Sequence, residues 1–134
     1  MIYVLDTNVI SAILKGNRSV KERVQQAILQ GDEIGINGIS YHEIKRGLLA
    51  INASKQLQIF ERLCEISRTL LMDTGDIFDR AAHIYAELKK TGKPIQDADI
   101  LIASIVLSGG FVLVSDDSDF ERINSLMLEN WLSA

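Results

Sequence analysis

Short apolar runs alternate with stretches of helical periodicity along this whole chain. Ile2 to Leu5, Glu33 to Ile36, Leu70 to Met72 and Phe111 to Ser115 have the length and content of strands, and Leu126 to Trp131 adds a candidate edge strand. Between them lies a helix over 7–15, started by Asp6 or Thr7 and stopped near Gly16. Val20, Val24, Ala27 and Ile28 then recur at helical spacing up to Gly31. Further apolar faces follow at Ile44, Leu48 and Ile51, at Leu57, Phe60 and Leu63, and at Ile77, Ala81, Tyr85 and Leu88. Asp99 to Leu107 is apolar nearly all round, which predicts a buried helix ending at Gly109-Gly110. This order predicts an α/β fold in one domain over 1–134. Its form is a three-layer α/β/α sandwich around a mostly parallel sheet of four to five strands.

Composition narrows the functional classes. The 134 residues are 47% hydrophobic and 24% charged, ordinary for a globular domain. A single cysteine, Cys64, rules out an internal disulfide and a cysteine-based zinc site. The net charge of −4 does not match a basic nucleic-acid-binding module, and it suits an acidic cation site or a partner with a basic segment. No apolar run reaches the roughly 18 residues of a membrane span. Met1 leads directly into Ile2-Tyr3-Val4-Leu5 with no basic stretch, so a cytoplasmic protein without a membrane role is expected.

Functional groups in parallel sheets collect at the carboxyl ends of strands. Several acids fall there. Asp6 ends the first strand, Asp116, Asp117 and Asp119 follow Phe111 to Ser115, Asp97 and Asp99 open the buried helix, and Glu43 begins the helix after the second strand. Each also has a purely structural role open to it. Asp6 is a good helix cap. Ser40-x-x-Glu43 fits a capping box, and Glu43 stands one turn before Arg46. Asp97 and Asp99 suit a helix N-terminus, and Ser115 to Phe120 suits a solvated turn. What those roles leave unexplained is why every acid lands on one edge. Crowded carboxylates repel, and a divalent cation relieves them. Magnesium and manganese take oxygen ligands, and such ions assist phosphodiester hydrolysis.

Together these segments resemble the PIN-domain ribonucleases, and most specifically the VapC-type toxins of type II toxin–antitoxin pairs. Leu5-Asp-Thr-Asn-Val-Ile-Ser11 resembles the family's opening motif, and Ser40 to Gly47 its helix bearing the second acid. Gly92 to Ser104 resembles the segment bearing the third acid, which falls on Asp99 by its register to Ile102-Ala103. Leu113 to Phe120 resembles the last motif, with Ser115 for threonine and Asp117 as fourth acid. Leu128 to Trp131 resembles the ending of many such toxins.

The resemblance implies a magnesium- or manganese-dependent endoribonuclease with catalytic Asp6, Glu43, Asp99 and Asp117. Asp6, Asp99 and Asp117 would bind one or two ions, with Asn8, Ser115 and Asp119 in support. Asp97, Asp116 and Asp119 are neighbouring alternatives. It also implies an RNA substrate, often tRNA, cut to a 5′-phosphate and a 3′-hydroxyl, as well as a homodimer and a cognate VapB-type antitoxin. Lys15, Arg18, Lys21, Lys45, Arg46, Lys89, Lys90 and Lys93 are candidates for a basic rim that meets phosphates.

Rival readings fit less of the chain. A response-regulator receiver would use Asp73 but needs a lysine where acids follow Phe111 to Ser115. A dehalogenase-type phosphatase needs Asp-x-Asp where Asp6-Thr7-Asn8 stands. A histidine ribonuclease would need His42 and His83 within hydrogen-bond reach of the reaction. A PIN-fold module that binds RNA or protein without cutting is the main alternative.

Overall fold

The computed structural model describes residues 1–72 and 75–132, so Asp73 lies outside the described residues. Its centre is β1, Ile2–Leu5, whose apolar side chains alternate between two buried faces. β1 pairs in parallel with β2, Glu33–Asn37, and with β4, Val112–Val114. β3, Arg68–Leu70, flanks β2, and β5, Leu128–Glu129, flanks β4. The order β3-β2-β1-β4-β5, parallel throughout, is the sheet expected from the alternation of strands and helices.

Helices cover both faces. On one side lie α1 (Thr7–Leu14), α2 (Arg18–Leu29), α3 (Gly38–Ala50) and α4 (Ser54–Glu65). They pack Val9, Ile10, Val20, Leu48 and Phe60 against Leu5, Ile34, Ile36 and Val114. On the other side lie α5 (Gly75–Lys90) and α6 (Asp97–Gly109), which pack Ile77, Leu88, Ile102 and Val106 against Val4 and Leu113. α6 is buried along most of its length, as its all-round apolar sequence requires. It stops at Gly110, whose left-handed φ of 67° a side chain would strain.

Several local expectations need correction. Ile28, Ile51 and Tyr85 keep the helical period but are 42%, 72% and 49% exposed. The third strand ends at Leu70, two residues short of Met72, and Leu71 is exposed. The last strand is only Leu128–Glu129. α3 is capped by Asn37, whose Oδ1 accepts from the Ser40 amide at 2.9 Å, so Ser40 is not the cap and Glu43 stands in the second turn. Among the described residues, no helix is long and apolar enough to cross a membrane.

Gly35 sits where β2 must lie close to its neighbours. A Cβ there would come within 2.9 Å of Leu70 Cδ1 and 3.0 Å of Ile2 Cγ2. Ile2 is β-branched and stiff, so it yields little. Gly35→Val should lower stability by about 1–3 kcal/mol through overpacking. Urea unfolding measures this as a lower midpoint at an unchanged slope.

Candidate active site

β1 delivers Asp6 to the carboxyl edge of the sheet. The Asp6 amide donates to the Val114 carbonyl at 3.0 Å, which fixes this end of β1 against β4. Asp6 holds the N-cap position of α1, and its carbonyl accepts from the Val9 and Ile10 amides at 3.0 and 3.1 Å. Its carboxylate makes no capping bond to the helix. Instead Oδ2 accepts from Ser115 Oγ at 2.8 Å, a bond across the sheet between β1 and the end of β4. Asp6 is only 5% exposed. Burial pushes its pKa above the ordinary range, opposed by the Ser115 bond and the neighbouring Thr7 amide, and the charges of Asp117 and Glu43 push it further up.

Asp99 comes to the same place from α6. Two residues along a helix turn by about 200°, so Asp97 and Asp99 face apart. Asp97 is exposed and lines a groove with Phe78, Ala81, Tyr85 and Leu101. Asp99 is half-buried and shares its face with the fully buried Ala103 one turn on. Its pKa is pushed up to about 6, first by burial and then by the charges of Asp6, Asp117, Glu43 and Asp119. Acids from four segments thus act on one another at one edge. Among the described residues, no lysine, arginine or histidine nitrogen lies within 4.0 Å of Asp6, Glu43, Asp99 or Asp117.

The last motif forms a tight turn. Ser115 Oγ, besides donating to Asp6, accepts from the Asp117 amide at 3.0 Å. An Asp117 carboxylate oxygen accepts from the Asp119 amide at 2.9 Å, capping a short 3-10 helix over Ser118–Arg122. Asp119 pairs with Arg122 at 3.3 Å, which leaves it more committed than Asp117. Asn8 does not touch the inner acids. Its Nδ2 donates to Asp116 at 3.3 Å, and both residues are exposed.

Sequence reasoning gave Thr7 and Ser40 only capping roles and did not name Asn37. Thr7 Oγ1 stands 3.0 Å from Ser40 Oγ and 3.5 Å from Glu43 Oε2. Asn37 Nδ2 donates to Ser40 Oγ at 3.0 Å, and Asn37 and Ser40 are fully buried. His42 and His83 are exposed on α3 and α5.

The basic rim is only partly local to the acids. Lys15 and Arg46 line one groove of about 290 Å³ with Glu43, Thr7 and Gln56. Lys45 pairs with Glu61 at 3.9 Å, Lys89 lies 5.8 Å from the Tyr85 ring, and Lys21 lines an apolar groove between α2 and α4. A larger cleft of about 490 Å³ runs past Arg68, Asp76, Ile105 and Phe111 and contains none of the candidate acids.

The donor set fits a hard divalent cation. It is all carboxylate, mutually repelling, and half-buried or buried. Among the described residues, no three such side chains are grouped closely enough to hold an ion by themselves. The fit is therefore to an ion held by one or two carboxylates, with water and substrate oxygens filling the other positions, as magnesium prefers.

The PIN domain matches residues 3–126 of this sequence. The chain belongs to the PIN-domain family, in its VapC branch. Ribonuclease VapC1 of Haemophilus influenzae (strain R2866) is 32% identical over 134 residues, covering 98% of each chain. The solved structure of VapBC-1 from nontypeable Haemophilus influenzae matches with a TM-score of 0.85 and 32% identity over 98% of each chain. The tRNA(fMet)-specific endonuclease VapC of Shigella flexneri is 28% identical, over 96% of this chain and 97% of its own. The observed sandwich is thus the PIN-like α/β fold expected from the motifs.

Burial and crowding of Asp99 give this PIN site a pH signature. Folded, Asp99 keeps its proton to about pH 6, and unfolded it loses it near 3.8. The folded state binds more protons in that window, so wild-type stability falls as pH rises through it and then levels off. In EDTA, Asp99→Asn should match wild type at about pH 4 and exceed it by about 1 kcal/mol at about pH 7, a value discounted for solvent screening. Thermal melts across this range test it, and equal stability at neutral pH would mean that Asp99 carries no such load.

Proposed function

We propose that this chain is the toxin of a VapBC-type pair, a divalent-metal-dependent endoribonuclease that hydrolyses phosphodiesters of structured RNA, tRNA above all. The observation that carries this reading is that Asp6, Glu43, Asp99 and Asp117 stand near enough at one sheet edge to raise the pKa of Asp6 and Asp99, with no cation of the described residues within 4.0 Å of them. The VapC1 relative is named a ribonuclease, and the Shigella flexneri relative a tRNA(fMet)-specific endonuclease, which supports the substrate class.

Asp6, Asp99 and Asp117 would hold magnesium or manganese, as one or two ions, each on one or two of these carboxylates with water and substrate oxygens in its other positions. When bound, such an ion neutralises charge on the scissile phosphate and lowers the pKa of a ligated water. The protein's own part is orientation. Ser115 holds Asp6 Oδ2 and the Asp117 amide at once, so one hydroxyl sets two of the acids. Glu43, half-buried on α3, faces the same edge as a hydrogen-bond acceptor for the attacking water. Attack at phosphorus breaks the P–O3′ bond, the 3′ oxygen takes up a proton, and the 5′-phosphate stays on the other fragment. Lys15 and Arg46, in the groove beside Glu43, suit the flanking phosphates. In this reading the protein is a homodimer, held inactive by a cognate VapB-type antitoxin. The match to a VapBC structure supports that partner.

Purified protein should cut total tRNA with magnesium or manganese and not with EDTA. Asp6→Asn and Asp99→Asn should each lower the rate by more than about 100-fold, beyond the loss typical of an outer partner. Equal cleavage by wild type and both variants would sink the site. RNA binding without cleavage under every condition would instead identify a PIN-fold binding module.

A further inference from the structure

We infer that Thr7 is a positioning residue, the last member of a relay from Asn37 through Ser40 that sets the carboxylate of Glu43. The inference rests on Glu43 acting in the proposed nuclease site.

Counting hydrogens gives the relay its direction. An amide nitrogen only donates, so Ser40 Oγ accepts from Asn37 Nδ2 at 3.0 Å. The ionised Glu43 carboxylate can only accept and so takes the single Thr7 hydrogen, with Oε2 3.5 Å away. That makes Thr7 Oγ1 the acceptor of the Ser40 hydrogen, 3.0 Å away. All three links point toward the acid. The last is the longest, as is common in unliganded sites whose bonds tighten on substrate binding.

Capping alone does not require this arrangement. Asn37 Oδ1 already caps α3 through the Ser40 amide. The second bond, from Nδ2 to the Ser40 hydroxyl, adds nothing to the cap, and an alanine at position 40 would present the same amide. Yet both residues are fully buried, where polar side chains persist only with partners. The partner at the far end is Thr7, which follows Asp6 directly in the chain. One hydroxyl therefore ties the end of β1, where the first acid sits, to the second turn of α3, where the second acid sits.

The test compares Thr7→Val, Thr7→Ser, Ser40→Ala and Glu43→Ala on tRNA in magnesium under single-turnover conditions. Thermal melts and crystal structures of the metal-free proteins accompany the kinetics. Thr7→Val keeps the shape and loses the hydroxyl. Its maximal rate should fall about tenfold, with half-saturation by RNA within about twofold of wild type, and Thr7→Ser should recover to within about threefold. Ser40→Ala should show a loss in the same direction. Glu43 should leave its wild-type rotamer in crystals of Thr7→Val and keep it in Thr7→Ser. In a Glu43→Ala background, Thr7→Val should cost nothing more, because the group it positions is gone.

An unchanged rate for Thr7→Val beside an impaired Glu43→Ala would overturn the relay alone. An equal added loss in the Glu43→Ala background would overturn it too, since only a structural role persists there. Full activity of Glu43→Ala would remove both the relay and the place of Glu43 in the nuclease site.

Discussion

Asp6 is a carboxylate buried at the end of the middle strand of the sheet, and the rest of the site is arranged around keeping it there. Burying a charge without a partner is costly. Here the compensation comes from one hydroxyl, Ser115 Oγ at 2.8 Å, and from the backbone around it. Ser115 is itself held, because its amide donates to the Glu129 carbonyl at 2.9 Å. The short β5 therefore matters more than its two residues suggest. It is secured in turn by Trp131, whose Nε1 donates to Glu129 at 3.0 Å and whose ring lies under Arg23. A chain of contacts thus runs from α2 through the edge strand to the central acid.

The acids around Asp6 work against folding, and the two cores offset them. Burial, and after it repulsion from Asp6, Asp117, Glu43 and Asp119, keeps a proton on Asp99 to about pH 6. Each fully buried aliphatic side chain, such as Val4, Leu5, Ile10 or Leu113, contributes about 1.5–3 kcal/mol. Many such residues on both faces of the sheet allow a strained electrostatic edge to persist. In the proposed nuclease, a bound cation would convert that strain into affinity by relieving a repulsion the fold has already imposed.

Much of the architecture was legible because parallel sheets announce themselves. Strands buried on both faces read as unbroken apolar runs, and Val4-Leu5 and Val112-Leu113-Val114 are such runs. Asp99 was preferred to Asp97 only through the resemblance, by its register to Ile102-Ala103, and the fold leaves Asp99 half-buried and Asp97 exposed. Helix capping was read less well. Ser40-x-x-Glu43 fits a capping box, but the strand before it ends on Asn37, and the chain turns into a helix there without a loop. The periodic but exposed Ile28, Ile51 and Tyr85 show another limit, because period reveals a face and not whether anything covers it.

The sequence by itself determined the layered α/β order and the strand ends where acids would fall, because apolar periodicity and chain order are local properties. Only the tertiary structure decided which polar groups meet. Ser115 reaches Asp6 across 109 positions and Thr7 reaches Glu43 across 36, while Asn8, expected to serve the inner acids, turns to Asp116. A hydrogen bond needs its atoms within about 3 to 3.5 Å, and that distance is set by how strands pair and helices settle on them. No spacing along the chain encodes it.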